Sequence, residues 1–412
     1  MTGELAARVA RHEAVSTALA ALDDRELGAL VDRAPVVAVG IGGTAVAIEV
    51  DGVPVFAKRV ALTDLERRQE NVGSTANLFR LPTFTHYGIG SAGGGVWREL
   101  AAHVMTTSWV LDGRCGSFPL LHHWRVLDGS PPVGSTPRQR AEQVAYWNGS
   151  PAVADRLDAI ADASAAVVLF CEYLPTTLHD WLTAQVAAGA VDAACAMVER
   201  ELPAAVSFMN ANGLLHFDAH FTNVLTDGRH LYLTDFGLAT SPTFDLSADE
   251  RAFVDAHADH DPCYVVTHLV NWLVAALTGA TDRADRVAFV RRCAATSTTD
   301  ATGWMAHVAG RTGHMCHPPG LWGRAADVIR RYAPIAVVLN DFYDRLVGQS
   351  RLTPYPADEL RRAVANGPPD MASYGHRHRQ GVRPAEAGAA PGFPQLRSGR
   401  HGDARGSGGR TG

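Results

Sequence analysis

The β-rich sequence of this chain is confined to its front, and that segregation constrains the fold more than any other feature. "PVVAVG", "AVAIEV" and "VPVFAKRV", between residues 35 and 60, are short runs rich in valine and other strand formers, which suit a pleated, half-buried surface. Gly40–Gly43 separates the first two runs and Asp51-Gly52 the last two. An Asp-Gly step between apolar runs is a strong hairpin signal. The reading is a three-stranded antiparallel meander with a glycine-rich first turn. Two more strands are expected at "FPLLHHWRVL" and "AVVLFCEYLP", with a helix at "VWRELAAHVMTTSWVL" before them and one or two short helices over 3–33. Beyond residue 175 the pattern is helical to about 366. It is interrupted only by the strand pair in "NVLTDGRHLYLTDFG". Strands first and helices after define an α+β chain.

This divides the chain into a helical extension (1–34), a small antiparallel-sheet N-lobe (35–174) and a mostly helical C-lobe (175–370). The N-lobe carries a helical insert at about 128–165, entered through a Pro/Gly/Ser-rich stretch. Residues 61–95 are mixed and end glycine-rich, in "GIGSAGGG". From 375 to 412 the sequence is Gly-, Pro- and Arg-rich, cannot bury a core, and is expected to be disordered.

Composition narrows the function. The 412 residues carry a net charge of −6 without a strongly basic run through the body, which disfavours nucleic acid as a main partner. Six cysteines are scattered without a CxxC pair, so a reducing cytoplasm is the expected setting. The start, "MTGELAARVARHEAV", is charged from Glu4 on, unlike a signal peptide. The longest apolar stretch, 263–280, is broken by His268 and Asn271. It reads as a buried helix, and no membrane is expected as a partner.

One residue type is written once. Of 37 basic residues, Lys58 is the single lysine and the other 36 are arginine. A GC-rich coding bias explains the scarcity but not the position. Lysine is a compact point charge on a flexible stem, whereas arginine is a planar fork. A slot that meets two phosphates and a carboxylate suits the point charge.

Phosphate chemistry is written elsewhere too. "HFDAHFTNVL" (216–225) is followed by "LTDFGLA" (233–239). His216, Asp218 and Asn223, and then Asp235-Phe236-Gly237, match H-x-D-x-x-x-x-N and D-F-G in order and register. The pattern resembles the catalytic core of the protein-kinase-like superfamily. The resemblance implies a bilobal kinase-like fold that uses ATP and Mg²⁺. It implies Asp218 as the group that orients the attacking hydroxyl and takes its proton, and Asn223 and Asp235 as Mg²⁺ ligands. It also places Lys58, in "VFAK" on the third strand, on the α/β-phosphates. "GIGGTAVA" reads as a phosphate cover, with Gly40, Gly42 and Gly43 in the turn and Ala45 where a third patterned glycine would stand. The helix partner of Lys58 is read as Glu99, with Glu66 and Glu70 as rivals. "LFCEYLP" resembles the strand between lobes, where the Glu172 carbonyl and the Leu174 N–H would meet an adenine edge. Two further clusters have metal-like chemistry, His314/Cys316/His317 and His257/His260/Cys263, but neither has a second half at zinc-site spacing.

The departures concern the acceptor. Phe217 follows His216 where many regulated kinases have arginine, and His220 stands where Ser/Thr kinases usually have lysine. HxDxHxxN is similar to the loop of aminoglycoside and choline phosphotransferases. No A-P-E follows D-F-G, and Asp261-Pro262 reads as an N-cap and first helical position. The D-F-G itself, the glycine-rich turn and the V-x-A-K strand look like protein kinases. The expectation is γ-phosphate transfer from ATP to a hydroxyl. A protein Ser/Thr acceptor is slightly favoured over a small molecule. A pseudokinase module is the third reading, opposed by the complete Lys58, Asp218, Asn223 and Asp235 set.

Overall fold

A computed structural model describes residues 3–40, 43–88, 90–129, 135–295 and 323–367. The expected α+β architecture is what it shows. Helices α1 (Gly3–Ala21) and α2 (Asp24–Asp32) lead into strands β1 (Val36–Gly40), β2 (Gly43–Val50) and β3 (Val53–Leu62). A short helix α3 (Asp64–Arg67) and two 3₁₀ turns precede helix α4 (Val96–Leu111) and strand β4 (Leu121–Asp128). The insert forms α5 (Pro137–Tyr146) and α6 (Pro151–Ala161), and β5 (Ala165–Glu172) follows. The five strands form one antiparallel sheet in the order β1-β2-β3-β5-β4.

Strand β4 is shorter than expected at its start. Pro119 has no N–H to give a ladder, and Phe118 and Leu120 are buried in the helical core instead. The ladder begins at Leu121, whose N–H donates to Thr107 Oγ1 at 2.9 Å.

The period of two decides what the sheet presents on each face. Val55 and Ala57 of β3, with Val168 and Phe170 of β5, pack under Val15, Leu19, Leu27 and Val31 of α1 and α2. Phe56, Val60 and Leu62 pack on the opposite face, with Trp97 and Leu100 of α4. Lys58 shares their parity. It is hydrogen-bonded into the ladder between Ala45 and Leu169, so its side chain leaves the sheet on the α4 face.

The helical lobe starts with a two-residue strand β6 (Thr176–Thr177), then α7 (Leu178–Ala187) and α8 (Val191–Ala211). Strand β6 pairs with β7 (Val224–Thr226), which pairs with β8 (Leu231–Leu233). Two residues carry no periodicity, so β6 leaves no mark in the sequence. Helices α9 (Ala248–Ala256), α10 (His260–Thr278), α11 (Arg283–Ala295), α12 (Gly323–Gly348) and α13 (Ala357–Ala365) complete it. The apolar face of α10, including Val266, Val270 and Leu273, lies in the largest core cluster with Ile329, Ala336 and Leu339 of α12. Among the described residues no single helix is long and apolar enough to cross a membrane.

Candidate active site

Lys58 is held between two carboxylates. Its Nζ donates to Glu99 Oε1 at 2.7 Å and to Asp235 Oδ1 at 2.8 Å. Burial pulls the ammonium toward neutrality, but Asp235 and Glu99 outweigh it and hold its pKa above the ordinary lysine value. Burial pushes Glu99 up against the opposing effect of Lys58. Partial burial pushes Asp235 up, yet the lysine charge and bond bring its pKa down to about 2. The two carboxylates differ in access: the Glu99 side chain is 5% exposed and that of Asp235 46%. Glu99 is therefore a buried anchor, and Asp235 can meet a ligand.

The choice among three glutamates is resolved by this geometry. Glu70 is exposed. Glu66 is buried but serves elsewhere: it pairs with Arg156 of the insert at 2.8 Å and accepts the Val96 N–H at 3.1 Å. Gly95, the N-cap of α4, makes no side-chain cap bond, so Glu66 satisfies an orphan donor of α4 and complements its dipole.

The loop between α8 and β7 presents the second group. Asn223 Nδ2 donates to the Asp218 carbonyl at 3.0 Å and to Asp218 Oδ2 at 3.3 Å. Burial, and then the negative charge of Asp235, push the Asp218 carboxyl up to about 7. The hairpin β7–β8, turning through Asp227 and Gly228, returns the chain to Asp235 beside Asp218. Two residues here take left-handed backbone, Phe217 and Asp235, each at φ 62°. Such conformations persist only where surroundings over-determine them. Phe217 is fully buried among Phe253, His257 and His260.

Asp261 fixes this loop from below, and its predicted role as an N-cap needs correction. Helix α10 begins two residues earlier, at His260, with Asp259 as its N-cap. The Asp261 carboxylate accepts the backbone N–H groups of His216 at 2.7 Å and Phe217 at 2.9 Å. Its pKa is pushed up to about 6 by burial, against those two bonds. His216 is neutral at physiological pH, brought down to about 4 by burial, and its Nε2 lies 3.0 Å from the Thr234 carbonyl oxygen. Nothing in the spacing of the sequence separates an acid that caps its own helix from one that reaches a distant loop.

Gly43 stands where only glycine fits, since a Cβ there would lie 1.7 Å from the Arg59 carbonyl oxygen. Gly40 and Gly43 line the main cavity, whereas Gly42 lies outside the described residues. Glu172 and Leu174 line the same cavity. Among the described residues the Leu174 N–H has no hydrogen-bond partner. The Glu172 side chain has an unforeseen use: Arg8 of α1 forks onto it, at 3.0 Å from Nε and 2.6 Å from Nη2. The cavity has a volume of about 1260 Å³ and runs from the Gly40 turn past Lys58, Asp235 and Asp218 to α10 and α12.

Sequence reasoning also missed Gly88. A Cβ at that position, where φ is +79°, would lie 2.8 Å from Asp218 Oδ1. The glycine-rich end of 61–95 was visible, but not its destination. Of the metal-like clusters, His314, Cys316 and His317 lie outside the described residues, as does the 375–412 tail. His257 Nε2 lies 2.7 Å from the Tyr87 hydroxyl. Among the described residues no group of three or more His, Cys, Asp or Glu could hold a metal alone. The Asn223 bonds are made by its amide nitrogen and the Lys58 bond falls on Asp235 Oδ1, so the Asn223 amide oxygen and Asp235 Oδ2 are oxygen donors left over. That donor set fits Mg²⁺, which is usually held by one or two protein oxygens together with substrate phosphates.

No family model matches the chain. A stretch of 119 residues, 26% of this chain, is 31% identical to the serine/threonine-protein kinase PKH2 of Saccharomyces cerevisiae (strain ATCC 204508 / S288c), of which it covers 11%. Part of the chain is thus related in sequence to a protein kinase, over a small share of that protein's length.

Proposed function

We propose that this protein is a kinase-like phosphotransferase, moving the γ-phosphate of ATP to a hydroxyl with Mg²⁺. The observation that carries the reading is the convergence on one cavity of Lys58, gripped by Glu99 and Asp235, with Asp218 and Asn223. Phosphoryl transfer asks a protein mainly to position groups and neutralise charge. Lys58 supplies a fixed cation, and Gly40 and Gly43 bring backbone close to the nucleotide. The Leu174 N–H offers a donor to its base. Asn223 and Asp235 would hold Mg²⁺, which supplies charge neutralisation at the phosphates. Asp218, close to neutral in its resting pKa, orients the acceptor hydroxyl and takes its proton.

The test is calorimetric titration with ATP, with and without Mg²⁺, on the wild type and Asp235→Ala. Mg²⁺-dependent affinity that falls sharply in the variant supports the reading. Equal affinity in all four titrations refutes it.

A further inference from the structure

The cavity is larger than one ligand needs. Pockets for single small ligands run about 300–1,000 Å³, and this one is about 1260 Å³. Its far half lies between α10 and α12. Tyr264, Thr267, His268 and Asn271 follow the i, i+3, i+4, i+7 spacing of one helical face, and Asn340, Tyr343 and Asp344 repeat its first three steps on α12. All seven line the cavity. Between Cys263 and Leu277 the other α10 residues are apolar, and Cys263, Val265, Val266, Leu269, Val270, Leu273, Val274 and Leu277 are buried in the core, so a polar stripe there is a departure from the pattern of that segment. His268 and Asn271 are the two residues that interrupt the apolar stretch in the sequence.

The stripe is charge-poor and short of partners. Asn271 and Asn340 donate to each other at 2.9 and 3.1 Å. Thr267, 4% exposed, and Tyr343 each carry a hydroxyl that is shut off from solvent and has no hydrogen-bond partner among the described residues. Buried polar groups without partners are costly, and each one calls for an explanation. His268 is neutral, taken down to about 3 by burial, and Asp344 is already paired with Arg283 at 2.8 Å. Asp218 and His220, 3.7 Å apart, stand where this chamber meets the nucleotide half.

The opposite side of Asp218 is walled by the chain itself. At Gly88 even a Cβ would collide with the carboxylate. Behind it the Tyr87 ring packs against Phe253, His257, Phe342 and Tyr355. The Gly94 N–H donates to the Gly237 carbonyl at 2.9 Å, and the Asp245 N–H to Thr75 Oγ1 at 2.9 Å. Buried Arg98 pairs with Glu250 at 2.8 Å. The stretch after D-F-G is therefore tied down by residues 75–98. An extended peptide needs an open groove on both sides of its reacting hydroxyl, and here one side is filled.

We infer that the α10–α12 chamber is the acceptor site, and that the acceptor is a small, uncharged, hydroxyl-rich compound of sugar or cyclitol size. This rests on the phosphotransferase reading. The acceptor oxygen bonds to the γ-phosphorus of ATP as the bond from that phosphorus to ADP breaks. The hydroxyl proton passes to Asp218, and ADP leaves. His268 and Asn271, the half-buried members of the α10 stripe, bind the other hydroxyls, with Thr267 and Tyr343 in the wall behind them. A polycationic acceptor would need unpaired carboxylates, which the chamber does not offer.

The experiment uses ATP labelled at the γ-phosphate and the full chain. The acceptor probes are a dialysed macromolecular extract and its small-molecule dialysate, the latter split by ion exchange into neutral, cationic and anionic fractions. The expected label enters the neutral dialysate fraction, and Thr267→Trp lowers that transfer by at least about tenfold, as expected for a filled substrate pocket. Label in protein or in the cationic or anionic fractions overturns the inference. So does absence of label in the neutral fraction while Mg²⁺-dependent ATP binding is intact. Loss of that binding would instead overturn the phosphotransferase reading. Full transfer in Thr267→Trp would place the acceptor elsewhere, and the wild-type fractionation decides the matter even if the variant does not fold.

Discussion

The backbone at Gly88 lies against the Asp218 carboxylate, so close that a Cβ at Gly88 would sit 2.8 Å from Oδ1. Gly90 offers a control, since it has a similar φ of +77° but nothing within 4 Å of an added Cβ. Gly88→Ala and Gly90→Ala should each lose stability by about 1 kcal/mol from left-handed backbone strain. Only Gly88→Ala should also displace Asp218 and lower turnover by about tenfold or more, because small misplacements of a reacting group cost rate steeply. Thermal melts beside turnover numbers for both variants check this. Equal turnover in the two would show that the contact does not position Asp218.

Asp218 also sets a pH dependence. Its pKa rises from 3.8 to about 7 on folding, through burial and then Asp235. The folded state therefore binds this proton more tightly than the unfolded one. The associated stability is complete below pH 4 and is lost as pH rises through 7. Asp218→Asn should match the wild type in melting temperature near pH 4 and exceed it above pH 7. The kcat/KM of the wild type should rise with pH, with an inflection near 7. A flat profile over that range would contradict the assignment of Asp218 as the base.

Lys58 is the next handle. Lys58→Arg keeps the charge but brings a wider, planar head into a gap closed by Glu99 and Asp235. Phosphoryl transfer should fall by about a hundredfold or more, comparable to losing one preorganised electrostatic contact. Lys58→Ala should in addition destabilise the fold by about 3 kcal/mol, because Glu99 stays buried without its cation. Adding Glu99→Gln should restore much of that stability and none of the activity. Wild-type transfer in Lys58→Arg would make the lone lysine an accident of codon use.

Arg8 and Glu172 tie α1 to the end of β5. Arg8 also donates to the carbonyls of Gly116 and Phe118 at 3.0 and 2.9 Å. Arg8→Lys cannot reproduce this fork. It should lower stability by about 1.5–3 kcal/mol, the range for bonds to charged groups, and weaken ATP binding by shifting the segment that carries Leu174. Chemical denaturation and calorimetry on that variant measure both. Unchanged values would reduce the latch to a surface contact.

The sequence disclosed what depends on local pattern. Asp51-Gly52 marked the β2–β3 hairpin, and "VFAK" put Lys58 on the third strand. It was silent on long-range assignments. Glu66 and Glu99 are both buried acids near helix starts, and only folding pairs one with Arg156 and the other with Lys58. Asp261 looked like an N-cap because its tertiary partners, the N–H groups of His216 and Phe217, lie 44 or more residues away. The chamber stripe was half legible: His268 and Asn271 stood out in an apolar run, but the face opposite them comes from α12.

In the proposed reaction Asp218 serves a phosphoryl transfer inside the Lys58–Asp235 cavity. The most direct measurement is the rate at which label leaves γ-labelled ATP, for the wild type and Asp218→Asn, with Mg²⁺ and the small-molecule dialysate present. ATP affinity is measured alongside. The prediction is Mg²⁺-dependent transfer by the wild type and a loss of about a hundredfold or more in the variant, at nearly unchanged ATP affinity, as for removal of a general base. Transfer at equal rates by both proteins, or no Mg²⁺-dependent transfer by the wild type, would contradict it.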